Sequence, residues 1–75
     1  MSIDLQTAIN TVNNLNSGEE FCVKDLFLGY EWKREKRGKR MNLGILFLHE
    51  VEKNLTTVVK KLKKNSANQQ VYQKI

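Results

Sequence analysis

Between Leu5 and Leu15 the apolar residues Leu5, Ala8, Ile9, Val12 and Leu15 recur at three- and four-residue steps. Asp4, Gln6, Asn10 and Asn13 fall between them, so the pattern predicts an amphipathic helix with one wet face. Ser2 stands where an N-cap is expected. Asn14, Asn16, Ser17 and Gly18 then gather where the helix should stop, and glycine can take the left-handed backbone that ends helices. Residues 19–22 suit a very short strand. Val23-Lys24-Asp25-Leu26-Phe27-Leu28 has the length and apolar spacing of a two-turn helix before Gly29. Such a short helix persists only when packed against neighbours.

Beyond Gly29 the pattern turns aromatic and then basic. Tyr30 and Trp32 flank Glu31, and their rings are either core anchors or a surface on which a base can stack. The run from Lys33 to Arg40 is too highly charged for burial and reads as a loop or an exposed approach to the next helix. Leu43, Leu46, Phe47, Val51 and Leu55 mark the core stripe of that third helix. Gly44 inside it costs about 1 kcal/mol of helix propensity relative to alanine, which close helix packing would explain. Opposite the stripe, Asn42, Ile45, His49, Glu52 and Lys53 can face a groove, with Lys39 and Arg40 near its start.

From Leu55 to Val59 the composition becomes β-branched and continues through Lys60 to Lys64 as a predicted strand. Asn65-Ser66-Ala67-Asn68 is a turn candidate, and Val71, Tyr72 and Ile75 suit the returning strand. The order helix, short strand, short helix, helix, hairpin predicts an α+β fold. It is that of a winged helix-turn-helix with three helices and a C-terminal β-hairpin, one domain over residues 1–75. A dinucleotide fold is excluded by the missing glycine fingerprint and strand-helix repeats. A ribbon-helix-helix fits less well, because its leading strand would fall on a segment of helical periodicity.

Composition narrows the chemistry. An apolar fraction of 40% in 75 residues supports one modest core. No stretch nears the roughly twenty apolar residues of a membrane span, and no secretory leader is visible, so the expectation is a cytoplasmic protein without a membrane partner. Cys22 is the only cysteine, which rules out an intrachain disulfide and a zinc site built from this chain's cysteines. It reads as a core residue rather than a nucleophile. His49, Asp25 and Glu50 form no recognisable metal or nucleophilic spacing with it, so neither enzyme activity nor a cofactor or metal is expected.

The net charge is +5, and ten of the thirteen basic residues lie in two runs. Lys33, Arg34, Lys36, Arg37, Lys39 and Arg40 form the first; Lys60, Lys61, Lys63 and Lys64 form the second. Charge gathered at two places suggests a polyanion surface. With Tyr30 and Trp32 these residues make the candidate nucleic-acid site.

The segments Gly18-Glu19-Glu20-Phe21-Cys22-Val23-Lys24-Asp25-Leu26-Phe27, Gly29-Tyr30-Glu31-Trp32 and Arg40-Met41-Asn42-Leu43-Gly44-Ile45-Leu46-Phe47 carry a resemblance over about Leu5 to Tyr72. The chain resembles the small single-stranded-DNA-binding winged-helix proteins of staphylococcal cassette chromosome elements and related mobile elements and phages, first catalogued as a domain of unknown function. The resemblance implies a winged-helix body that holds single-stranded DNA through an apolar pocket and a flexible C-terminal tail. Phe21, Leu26, Phe27, Tyr30, Trp32 and Phe47 are its motif-like apolar positions. Only Gln73, Lys74 and Ile75 follow Tyr72, which departs from the long tail and shifts the expected work to pocket and wing.

The leading expectation is nonenzymatic capture of single-stranded DNA during replication or maintenance of a mobile element or phage. Two alternatives stand beside it: a duplex-DNA-binding transcriptional regulator, and a module or inhibitor that docks on a replication or host protein. A homodimer could align two basic surfaces.

Overall fold

Helix α1 (Leu5–Val12) buries Ala8 and Val12 on the predicted stripe. Its N-cap is Asp4, whose carboxylate accepts the Thr7 N–H at 2.7 Å and is held below its ordinary pKa chiefly by that backbone bond. The computed structural model describes residues 3–75, so the cap expected at Ser2 lies outside the described residues. The helix stops before Leu15. Lys74 Nζ donates to the Val12 and Leu15 carbonyls at 3.0 and 3.5 Å, placing a cation at the negative end of the helix. Gly18 takes the expected left-handed conformation, with φ +92°, and its N–H donates to the Lys74 carbonyl at 2.7 Å.

That bond opens a sheet. Strand β1 (Glu20–Phe21) is shorter than residues 19–22 suggested. Val23–Leu26 forms one 3₁₀ turn instead of a two-turn helix, because Phe27 is already extended at φ −130°, ψ 159°. Asp25 fixes the turn by accepting the Cys22 N–H at 2.9 Å. Phe27, half-buried against the core, stacks on Trp32, ring centroids 5.9 Å apart.

The segment from Lys33 to Arg40, read as a loop or an exposed approach to the next helix, is largely helical. Helix α2 (Gly29–Arg34) contains Tyr30 and Trp32, and α3 (Arg37–Lys53) begins after a break at Glu35 and Lys36, both extended with ψ 149° and 147°. Charge excludes burial but not helix, and Lys and Arg are good helix formers. The Lys39–Glu35 ion pair, 2.9 Å, braces the break.

Helix α3 buries Leu43, Phe47 and Val51. Leu46, expected in that stripe, is 42% exposed, since at about 100° per residue it falls well to one side of the other three. Leu55 is buried, but lies past the helix end. The β-branched run after it is a turn, not a strand: the Val58 and Val59 N–H groups both donate to the Leu55 carbonyl, at 2.9 and 2.8 Å. Gly44 is not a close-packing site either, because a Cβ built there meets nothing within 4 Å.

Strand β2 is only Val59–Lys61 and β3 only Tyr72–Lys74. The predicted two-stranded ribbon is a three-stranded antiparallel sheet of order β1-β3-β2. Register sets Phe21 opposite Tyr72 and Lys61 opposite the same Tyr72. The architecture is α+β, three helices with a C-terminal antiparallel hairpin sheet, and is consistent with a winged helix-turn-helix. Tyr72, 1% exposed, and Phe47, 0% exposed, anchor the core. Their rings meet edge to face at 5.1 Å, and Phe21 stacks on Tyr72 at 5.7 Å.

Burial pushes the Tyr72 pKa from 10.0 up to about 12. A raised folded pKa favours the protonated ring, so this stabilisation is full below pH 10 and is lost as pH rises towards 12. Urea denaturation across that window should show stability falling with pH, and falling less steeply in Tyr72→Phe. Parallel slopes in the two proteins would refute the assignment to Tyr72.

Candidate nucleic-acid interface

Helix α3 is apolar on two faces. Met41, Ile45 and Leu48 form a second stripe roughly 130° around the helix from Leu43, Phe47 and Val51. Met41 and Ile45 remain 58% and 54% exposed. This second stripe forms one wall of a pocket of about 470 Å³. Trp32 lines it from α2, Cys22, Val23 and Tyr72 from the sheet side, and Asn68, Gln69 and Gln70 from the tip of the wing. Lys24, Arg40 and Lys64 bring three cations to its lining. A smaller cavity of about 260 Å³ shares Trp32, Arg40, Met41 and Gln69 and adds Arg37, so the concavity runs on along the start of α3.

The wing tip holds its side of the pocket through Asn65. Its Oδ1 accepts the N–H groups of Ala67 and Gln69, both at 3.0 Å, a local side-chain turn that the Asn-Ser-Ala-Asn sequence favours. Asn68 completes the turn at φ +62°, a conformation asparagine tolerates. Asn65 Nδ2 also donates to Cys22 Sγ at 3.7 Å, tying the tip to the body. Gln70 Nε2 bridges the two arms, donating to the Leu62 and Val71 carbonyls. Burial pushes the Cys22 thiol above its ordinary pKa, which keeps it in the protonated, unreactive form.

Electrostatics favour an anion at the start of α3. Lys36 provides no side-chain cap and the first turn holds no acid; Arg37, Lys39 and Arg40 stand there instead. Cations at the positive end of a helix dipole are unfavourable; the Glu35 carboxylate answers Lys39, and an external anion would face Arg37 and Arg40.

Of the candidate residues named from sequence, Trp32, Arg37 and Arg40 from the first run and Lys64 from the second converge on the concavity. Lys33, Arg34, Lys36, Lys39, Lys60, Lys61 and Lys63 are exposed but do not line it. Tyr30 is 55% exposed, and the Arg34 guanidinium lies 4.9 Å from its ring centroid. Among the motif-like apolar positions, Phe21, Leu26 and Phe47 are core, while Phe27 backs Trp32. Lys24, Met41, Gly44, Leu48, Asn68, Gln69, Gln70 and Tyr72 are lining residues that the sequence reading had not placed at the site. The Met41-Ile45-Leu48 spacing was the signal that could have revealed the second wall.

A family profile described as Domain of unknown function (DUF1413) matches residues 6–74. No curated protein and no solved structure matches the chain.

Because Asn65 organises the tip without entering the core, Asn65→Ala should leave the fold intact. Amide hydrogen exchange at Ala67 and Gln69 should accelerate, while amides of α3 keep their protection. Unaltered exchange at the tip would show that Asn65 does not hold it.

Proposed function

We propose, for a chain that belongs to the DUF1413 family, that it is a nonenzymatic single-stranded-DNA-binding protein serving replication or maintenance of a mobile element or phage. The observation that carries this reading is the apolar pocket itself. A duplex presents stacked bases and a regular phosphate surface, for which a ring-sized apolar cavity has no use. An unstacked base has a free aromatic face, and Trp32, Met41 and Ile45 offer it apolar surroundings. Lys24, Arg40 and Lys64 stand where the attached phosphates would run, and Arg37 extends the cationic lining along the smaller cavity. Contacts of this kind position a strand without reading much sequence.

The remaining basic residues act at longer range in this mechanism. Lys33, Lys36, Lys60, Lys61 and Lys63 raise the local potential and steer the strand towards the pocket. Trp32 is held by Phe27 behind it, so a base could stack without the ring first being ordered. The mobile-element role comes with the family resemblance, and a cytoplasmic setting is the expectation from hydropathy along the chain. No helix among the described residues is long and apolar enough to cross a membrane.

A second reading, duplex binding with transcriptional control, is favoured by the winged-helix architecture and by the exposed cations Arg37 and Lys39 at the start of α3. Against it, the wing tip and α3 line the same pocket, so this face of the helix is shared with the wing instead of standing free for a major groove. Docking on a replication or host protein is the third reading; exposed Leu28, Tyr30 and Leu46 favour it.

Fluorescence anisotropy with matched single-stranded and duplex DNA across salt concentrations tests the reading. The single strand should bind more tightly, and duplex competing equally well would overturn this. Folded Trp32→Ala should lose roughly 1–3 kcal/mol of single-strand affinity. Lys64→Gln should reduce the slope of log K against log salt by about 0.7, the loss of one phosphate contact.

A further inference from the structure

Gly44 lies within a 17-residue helix, where glycine weakens the helix relative to alanine. Two ordinary reasons for accepting that loss are absent. Its backbone is not in the left-handed region, and a Cβ added there would meet no atom within 4 Å. The free protein therefore has room for alanine and a helix that would gain from it. What Gly44 does instead is leave the α3 main chain bare in the pocket wall, amid Met41, Ile45 and Leu48.

A cation stands beside the same space. Arg40 stands one turn before Gly44 and lines both cavities. Its Nε is shut off from solvent, so contact with an anion in that space falls to the outer guanidinium nitrogens. Space kept clear at Gly44 and a cation beside it suit one ligand: a flat apolar face joined to an anionic group.

We propose that Gly44 is the seat of a captured nucleobase, whose flat face lies on the uncovered α3 backbone while the attached phosphate lies against the Arg40 guanidinium. This rests on the single-strand reading and deepens it. The base enters where a side chain would otherwise stand, so affinity depends on the smallness of residue 44. Glycine permits close approach of a ligand to main chain, as it does in phosphate-binding turns. Asn68 and Gln69 line the same pocket from the wing tip, where their amide groups can meet the edge of such a base.

Three proteins decide the matter: wild type, Gly44→Ala and Gly44→Leu. Each is melted thermally and titrated by anisotropy against a labelled mixed-sequence single strand and a strand of equal length made of abasic sites. Gly44→Ala should melt roughly 4–8 °C higher than wild type. It should nevertheless bind the base-bearing strand more weakly, and Gly44→Leu should weaken it about tenfold or more, as expected for loss of one stacked base. Affinity for the abasic strand should stay the same in all three.

Equal binding of the base-bearing strand by wild type and Gly44→Leu, with Gly44→Ala also unchanged, would overturn the seat at Gly44 while leaving single-strand binding intact. Parallel loss on the abasic strand would also overturn it, since the defect would then not concern a base. Failure of wild type to bind either strand would overturn the single-strand reading and this proposal together.

Discussion

The packing of Tyr72 against Phe47 and Phe21 governs the rest of the molecule. Phe47 belongs to α3, Phe21 to β1 and Tyr72 to β3, so one ring cluster fixes the helix against two strands of the sheet. Rings of this size bury much apolar area, and their edge-to-face and stacked geometries restrict how the elements can rotate. Tyr72 also lines the pocket. The same side chain that closes the core therefore sets the distance between α3 and the wing, and with it the dimensions of the cavity.

Helix α3 serves two surfaces at once. Leu43, Phe47 and Val51 hold it to the core, Leu48 packs against that core from the pocket side, and Met41 and Ile45 are left to the pocket. In a domain of this size the core has little surplus, because small domains bury a smaller fraction of their surface than large ones. Apolar side chains left at a cavity wall are then informative: they withhold burial that the fold could have used. Their placement beside uncapped, cation-rich helix N–H groups gives one locality both an affinity for apolar rings and a field suited to anions.

Much of the fold was legible because it depends on local rules. The Leu5-to-Val12 periodicity, the left-handed Gly18 and the Asn65-to-Asn68 turn each follow from residues within a few positions. The errors arose where distant contacts decide. Thr56, Thr57 and Val58 have strand composition, yet the Leu55 carbonyl captures the N–H groups that follow and makes a turn. β1 joins β3 through pairing across some fifty residues, which no local pattern announces. At the site, Arg40, Trp32 and Lys64 were visible as residue types. Lys24, Gln69 and Gln70 were not, since an isolated lysine and a polar pair gain meaning only when the wing folds towards α3.

The strand order has a further bearing, on association between chains. With β3 in the centre, the sheet's two edges are β1, of two residues, and β2, of three. An edge so short offers few unpaired N–H and C=O groups on which another molecule could add a strand. β2 also carries Lys60 and Lys61, both exposed, and lysine on an edge repels a second copy of itself. These two residues therefore guard against edge-to-edge aggregation, a duty set by topology that they would perform whether or not any polyanion is ever bound.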